Sequence, residues 1–254
     1  MAKYNIHAGH NPDGKVACGA VGLIKESTEA RNVVKYMKEY MKKAGHTVYD
    51  CTCNNGKSQN DVLVKIVTKC NKHTVKYDVS IHFNSGAGDK KGNGKTTGVE
   101  VLVYSLTKDV ETVAKRVCKN VSKLGFTNRG VKVRPDLYVL RNTKNTAFLV
   151  ECCFVDDKDD TKKYNAKKMA KAIVEGILGE EIKDTTAIEK GDKVKIKSGA
   201  IYGGSSYKKE VPAKNIGVKY TVSKIQSNKH GLVVLKEALL KEINSWVPVK
   251  YLTK

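Results

Sequence analysis

The chain lacks any apolar run near the roughly 18 residues that signal a membrane-spanning helix, so no membrane insertion is expected. Its first residues, Met1-Ala2-Lys3-Tyr4-Asn5, lack the apolar stretch of a secretory signal, so the expectation is synthesis in the cytoplasm without a signal peptide. None of its 7 cysteines stands at C-x-x-C spacing; Cys51 and Cys53 are one residue apart and Cys152 and Cys153 are adjacent. That spacing disfavours a zinc knuckle or a redox pair, and the thiols are expected reduced and mostly buried as small hydrophobes. Arginine is scarce and the lysines are scattered. Modules that read DNA bases favour arginine forks, so nucleic acid is not the expected partner.

What is present is a chain of 254 residues, 40% apolar, long enough for one large domain or two smaller ones. The net charge of +21, with a sequence pI of about 9.6, favours an anionic polymer: nucleic acid, an acidic membrane or an anionic wall glycan. Charge alone does not choose among these.

The first stretch, Lys3 to His10, is a short strand pattern ending in His7-Ala8-Gly9-His10. Ala30, Val33, Val34, Met37 and Met41 then fall at helical spacing, closed by Gly45, and Thr47 to Asp50 reads as a strand. Ser58 or Asn60 caps a second helix carrying Leu63, Ile66, Val67 and Cys70. Strands are predicted at Tyr77 to Phe83, Val99 to Tyr104 and Ala147 to Glu151, with a short extended piece at Leu137 to Leu140. Between the first two lies a long polar, Gly-rich loop, Ser85 to Gly98, expected flexible. Thr107 caps a third helix with its stripe from Val110 to Leu124, and a last helix carries Tyr164, Met169, Ile173, Val174 and Ile177 to Gly179. Strands alternating with helices predict an α/β fold, a mostly parallel twisted sheet flanked by helices on both faces.

The pattern changes after Gly179. Residues 180–187 read as a linker. From Ile188 short alternating runs punctuated by Gly, Ser, Asn and Pro predict a small all-β module over 188–254. Residues 187–254 hold 14 lysines against 5 acidic residues, a net of about +9.

The chemistry gathers at element ends. His10 follows the first strand, His82 ends the third and Glu26 opens the first helix; a parallel sheet brings such ends to one rim. Two His and one carboxylate suit zinc with an open fourth position. Singly, each is as readily a surface or structural side chain. Glu151 ends the apolar run Ala147 to Val150 at the same rim, where low-dielectric surroundings raise a carboxyl pKa. Its plain structural alternative is a pair with Arg141 or a lysine.

Five blocks carry a resemblance: His7-Ala8-Gly9-His10, Gly22 to Glu26, Ser80-Ile81-His82-Phe83-Asn84, Leu137 to Thr143 and Ala147 to Asp157. In this order they resemble the zinc-dependent N-acetylmuramoyl-L-alanine amidases of the Amidase_3 type, found among bacterial cell-wall hydrolases and phage endolysins. The resemblance spans about residues 2–178. It implies a catalytic domain over 1–179, zinc (Zn2+) held by His10, Glu26 and His82, Glu151 as the catalytic base, and peptidoglycan as partner and substrate. It implies action on the cell wall, with host-cell lysis if the chain is phage-encoded. Asn11-Pro12 stands where that family usually has two glycines, and Glu29, one turn past Glu26, competes as a ligand. His7 is read as structural; His46, His73 and His230 match no motif and are read as surface. Gly191-Asp192-Lys193-Val194 and Asn244 to Leu252 resemble bacterial SH3-like wall-binding domains. Trp246, Tyr202, Tyr207 and Tyr251 are the candidate wall-binding residues, with barrel core as the equal alternative for each. Two other readings stay open: another zinc amide hydrolase, such as a peptidase or deacetylase, and a non-enzymatic binder of anionic polymers.

Overall fold

The computed structural model describes residues 1–182, 188, 190–230 and 233–253, and the chain divides into two units, Met1–Ile182 and Lys183–Lys254. Of the linker expected over 180–187, the part from 183 onward lies outside the described residues.

The first unit runs β1 (Lys3–Ala8), α1 (Glu26–Lys43), β2 (Thr47–Asp50), α2 (Gln59–Cys70), β3 (Tyr77–Asn84), β4 (Val99–Val103), α3 (Lys108–Ser122), β5 (Asn128–Val133), α4 (Tyr138–Asn142), β6 (Ala147–Phe154), α5 (Lys158–Lys163) and α6 (Ala166–Leu178). The strands form one six-stranded sheet in the order β2-β1-β3-β6-β4-β5. All neighbours are parallel except β4 and β6. This is the mixed α/β, mostly parallel, helix-flanked sheet that the alternating pattern predicts.

Side-chain period decides what each face buries. Tyr4, Ile6, Val79, Ile81, Phe148 and Val150 point to one face and pack with the stripes of α1, α3 and α6 in the main core. The other face is covered by α2 and α4 through two smaller clusters, one with Cys51, Val62, Ile66 and Val139, the other with Leu102, Leu140 and Leu149. All seven cysteines are free thiols, and all but Cys18 are buried.

Helix ends follow local chemistry. The Ser58 hydroxyl accepts from the Asp61 N–H (3.2 Å) at the start of α2. Asn165 caps α6, which Gly179 ends in a left-handed conformation. Thr107 holds the cap position of α3, but its hydroxyl makes no capping bond.

Three expectations need correction, and one strand went unpredicted. Leu137 to Leu140 is not extended; α4 starts there, and its turn sends the adjacent Val139 and Leu140 into different apolar clusters. The last helix is two, because Tyr164 is extended (φ −63, ψ 135) and Asn165 starts α6 afresh. The sequence reading missed β5, a mostly exposed edge strand whose only sheet neighbour is β4, so it carries no apolar run. The Ser85 to Gly98 loop is laced down. Asp156 accepts from the N–H groups of Gly86, Ala87 and Gly88, Asp159 from Asn93 and Gly94, Asp157 from Thr97, and Asp160 from Gly98.

The second unit is a five-stranded antiparallel sheet of β7 (Lys193–Ile196), β8 (Lys219–His230), β9 (Val233–Leu240), β10 (Ser245–Pro248) and β11 (Leu252–Thr253), in the order β10-β9-β8-β7-β11. Lys193-Val194-Lys195-Ile196 alternates exposed and buried as its pattern predicts. Val194, Ile196, Tyr220, Val222, Ala238, Leu240 and Val247 form a core of their own.

Candidate metal centre

The order of the strands places the site. The chain steps from β1 outward to β2 and then back across to β3, so β1 and β3 flank a topological switch point, the usual ligand crevice of an open α/β sheet. His10 follows β1, His82 lies near the carboxyl end of β3, and Glu26 is the first residue of α1; Glu151, expected at the end of its strand, lies beside His82 within β6, which runs on to Phe154. Donor atoms of His10, Glu26 and His82 all lie within 4.8 Å of one another. Glu26 Oε1 is 3.3 Å from His10 Nε2 and 3.0 Å from His82 Nδ1. Phe83 N–H donates to the same oxygen (3.1 Å), and Ala20 N–H to Oε2 (2.7 Å).

Two imidazoles and one carboxylate are a donor set that suits a borderline-soft divalent cation. The surroundings fit it closely. A Cβ at Gly9 would overlap the His82 ring, and one at Gly19 would overlap Glu26 Oε2 and the His10 ring. Gly19 also has φ +78, so only glycine sits there without strain. Burial pushes the Glu26 carboxyl up, but hydrogen bonds and charge from His10 and His82 outweigh it and hold the group well below the usual carboxylate range. Burial lowers His82 more than Glu26 raises it. At this centre the carboxylate is therefore charged and His82 neutral, the forms that ligate metals.

Glu151 pairs in register with His82 on one side and Glu100 on the other. Its Oε2 is buried with no hydrogen-bond partner. Burial, then the charges of Glu26 and Glu100, push its pKa up to about 8, against a weaker opposing pull from Arg134. Beside it opens a cavity of about 230 Å³ with apolar walls from Leu63, Leu102, Leu137 and Leu149, and with Arg134 and Glu151 among its polar lining.

Other candidates fall elsewhere. Glu29 lies outside the cluster; its carboxylate accepts from Asn32 (3.1 Å). Arg141 is exposed, and the basic group that acts on Glu151 is Arg134. His7 is fully buried. The three histidines read as surface are all partly buried and engaged: His46 accepts from Ala2 N–H (3.2 Å), His73 stacks on Tyr49 (3.8 Å), and His230 lies 2.7 Å from the buried Glu237 carboxylate. In the second unit, Tyr202 and Tyr251 pack against the core, whereas Tyr207 stacks on His230 (4.0 Å) and Trp246 lies against Gly204.

The sequence reading also missed two supports. Arg31 donates to the carbonyls of His10 (2.8 Å), Ser27 (2.9 Å) and Cys53 (2.9 Å), tying the first ligand to the helix that carries the second. Glu100, beside Glu151, is paired with Arg129 (2.7 Å) and Lys132 (2.6 Å). The one signal for Arg31 is its place less than two turns past Glu26 in a chain poor in arginine.

Comparison with known proteins places the chain in a family. The profile of the N-acetylmuramoyl-L-alanine amidase family matches residues 5–179. An uncharacterised protein of Clostridium perfringens is 34% identical over 186 residues, covering 72% of this chain and 53% of that protein. The endolysin of Bacillus phage SPP1 is 28% identical over 181 residues, covering 67% of this chain and 61% of that protein. The chain thus spans about half the length of the first of these relatives. The catalytic domain of the CD27L endolysin targeting Clostridia difficile superposes with a TM-score of 0.64 at 30% identity, covering 72% of this chain and 99% of that one. With the family profile covering well over half of its length, the chain belongs to the N-acetylmuramoyl-L-alanine amidase family.

Proposed function

We propose that the chain is a peptidoglycan hydrolase that cleaves the amide bond between N-acetylmuramic acid and L-alanine, with zinc held by His10, Glu26 and His82 and with Glu151 as the base. Family membership supports the substrate class. The observation that carries the chemistry is the unpartnered Oε2 of Glu151, on a strand position directly beside a His/Glu/His cluster.

A zinc ion held by His10, Glu26 and His82 would supply Lewis acidity for the scissile carbonyl and for the attacking water. The chain's own groups do the rest. Glu26 is preset by Phe83 N–H and Ala20 N–H, and His10 by Arg31 through the His10 carbonyl. Glu151 Oε2 accepts the proton of the attacking water and returns it to the departing amine of L-alanine. The leucine-walled cavity beside Glu151 offers an apolar surface against which substrate can pack.

We read 188–254 as an SH3-like wall-binding module, joined to the catalytic domain 1–179 by the stretch 180–187. Its charge of about +9 complements a polyanionic wall, and tethering raises the local substrate concentration. Of its four candidate aromatics, Tyr207 and Trp246 are the better placed for a ligand, because Tyr202 and Tyr251 already pack against the core.

Metal analysis combined with product identification tests the reading. The purified chain is expected to hold one zinc, lost in His82→Ala, and to release free L-alanine amino termini from peptidoglycan without new reducing sugar ends. Cleavage within the peptide, removal of acetyl groups, or absence of zinc would each sink it.

A further inference from the structure

His7 is completely buried, takes no part in the proposed reaction, and leaves Nε2 without a partner. The β1–β3 register sets it opposite Ser80, two residues before His82. Ser80 Oγ lies 3.0 Å from His82 Nε2 and 3.4 Å from His7 Nδ1. The other nitrogen of His82, Nδ1, lies 3.0 Å from Glu26 Oε1. Three side chains thus form a line from the metal centre to a buried imidazole.

A neutral imidazole carries one proton, on one nitrogen or the other, and an ionised carboxylate only accepts. With no cation between them, His82 Nδ1 must hold the proton to bond Glu26. Its Nε2 then accepts from the Ser80 hydroxyl, and Ser80 accepts from His7 Nδ1–H. A cation between His10, Glu26 and His82 needs the lone pair of Nδ1. The His82 proton must then sit on Nε2 and donate to Ser80, and Ser80 must donate onward to a lone pair on His7 Nδ1. Every bond in the line reverses. A carboxylate at position 7 would serve only the second arrangement and a lysine only the first. An imidazole serves both, and because His7 Nε2 has no partner, moving the proton there breaks no hydrogen bond.

We infer that Ser80 and His7 are positioning residues that form a reversible hydrogen-bond chain, letting His82 change tautomer and present Nδ1 to the cation. This rests on the metal reading of the site given above. Hydrogen-bond partners of ligating histidines typically alter metal affinity 10–100-fold, roughly the scale expected here.

The test uses the full chain, with zinc affinity read by chelator competition and ring tautomers by long-range proton–nitrogen correlation spectra. Zinc is expected to move the proton of His82 from Nδ1 to Nε2 and that of His7 likewise. Ser80→Ala, which adds no bulk, is expected to bind zinc about 10–100-fold more weakly. His7→Phe should show the same loss; if it fails to fold, Ser80→Ala and the parent spectra decide alone. An unchanged His7 tautomer on zinc loading, or undiminished zinc affinity in Ser80→Ala, overturns the inference while leaving the metal centre standing. Failure of the parent chain to take up zinc overturns both.

Discussion

Glu151 and His82 are register partners on adjacent parallel strands, so a buried, unpartnered carboxylate and a candidate metal ligand leave the same face of the sheet side by side. The backbone pairing fixes this neighbourhood, because β3 and β6 stay in register from Asp78 and Ala147 up to this pair. The proposed roles of these two residues, one holding a cation and one moving a proton, thus fall on neighbouring positions of the sheet.

Replacing the carboxylate by its isosteric amide separates those two tasks. Glu151→Gln is expected to keep the fold and full zinc content while peptidoglycan turnover falls by about 10²–10⁴, the usual scale for a lost general base. Release of free alanine amino termini by the two proteins at equal zinc loading checks it. Near-parental turnover would remove Glu151 from the reaction.

The same residue sets a pH dependence of stability in the zinc-free protein. Its folded pKa of about 8 lies above the ordinary 4.5, so the protonated form is the one that folding favours. Its contribution is complete below about pH 4.5 and is lost as pH rises through 8. The parent, stripped of metal, should lose on the order of a few kcal/mol relative to Glu151→Gln between pH 5 and pH 8. Paired denaturant titrations at the two pH values read this difference; parallel curves for the two proteins would refute it.

Gly19 makes a further test of the cradle. Alanine there must adopt φ near +78 and meet both Glu26 and His10, so Gly19→Ala should cost about 1–3 kcal/mol and weaken zinc binding. Gly14→Ala, at φ +76 with open space around its Cβ, carries the backbone strain alone and should leave zinc affinity unchanged. Equal zinc affinities in the two variants would show that the steric fit does not matter.

Removing the second unit tests the anchoring role. Residues 1–182 contain the main core, to which Ile182 itself contributes. This fragment should cleave soluble muropeptide like the full chain but sediment with purified walls at least ~10-fold less, as expected when a tether that raises effective concentration is lost. Equal sedimentation would rule out anchoring by residues 188–254.

The parts of the fold that were legible in advance are those where one physical signal dominates. The stripe from Ala30 to Met41 has helical spacing, and the apolar run Ala147 to Val150 has the length of a buried strand. His10, Glu26 and His82 were readable because parallel strands bring their carboxyl ends to one rim. What stayed hidden depends on partners distant in sequence. β5 is held by β4 and by polar side chains that carry no apolar period. Arg31 matters through carbonyls of residues 10 and 53, and Glu100 through a register that no local pattern encodes. His230 looked like a surface residue because its partner, Glu237, comes from the neighbouring strand of the hairpin.

The excursion from Ser85 to Gly98 is fastened mainly through its own backbone N–H groups to the aspartates at 156, 157, 159 and 160, and much less through its side chains. Its shape is therefore written largely into a different segment of the chain. Lys90, Lys91 and Lys95 are exposed there, which makes the excursion a natural port for an affinity tag or a fluorophore, whereas a single Asp160→Ala would loosen the strap at its root.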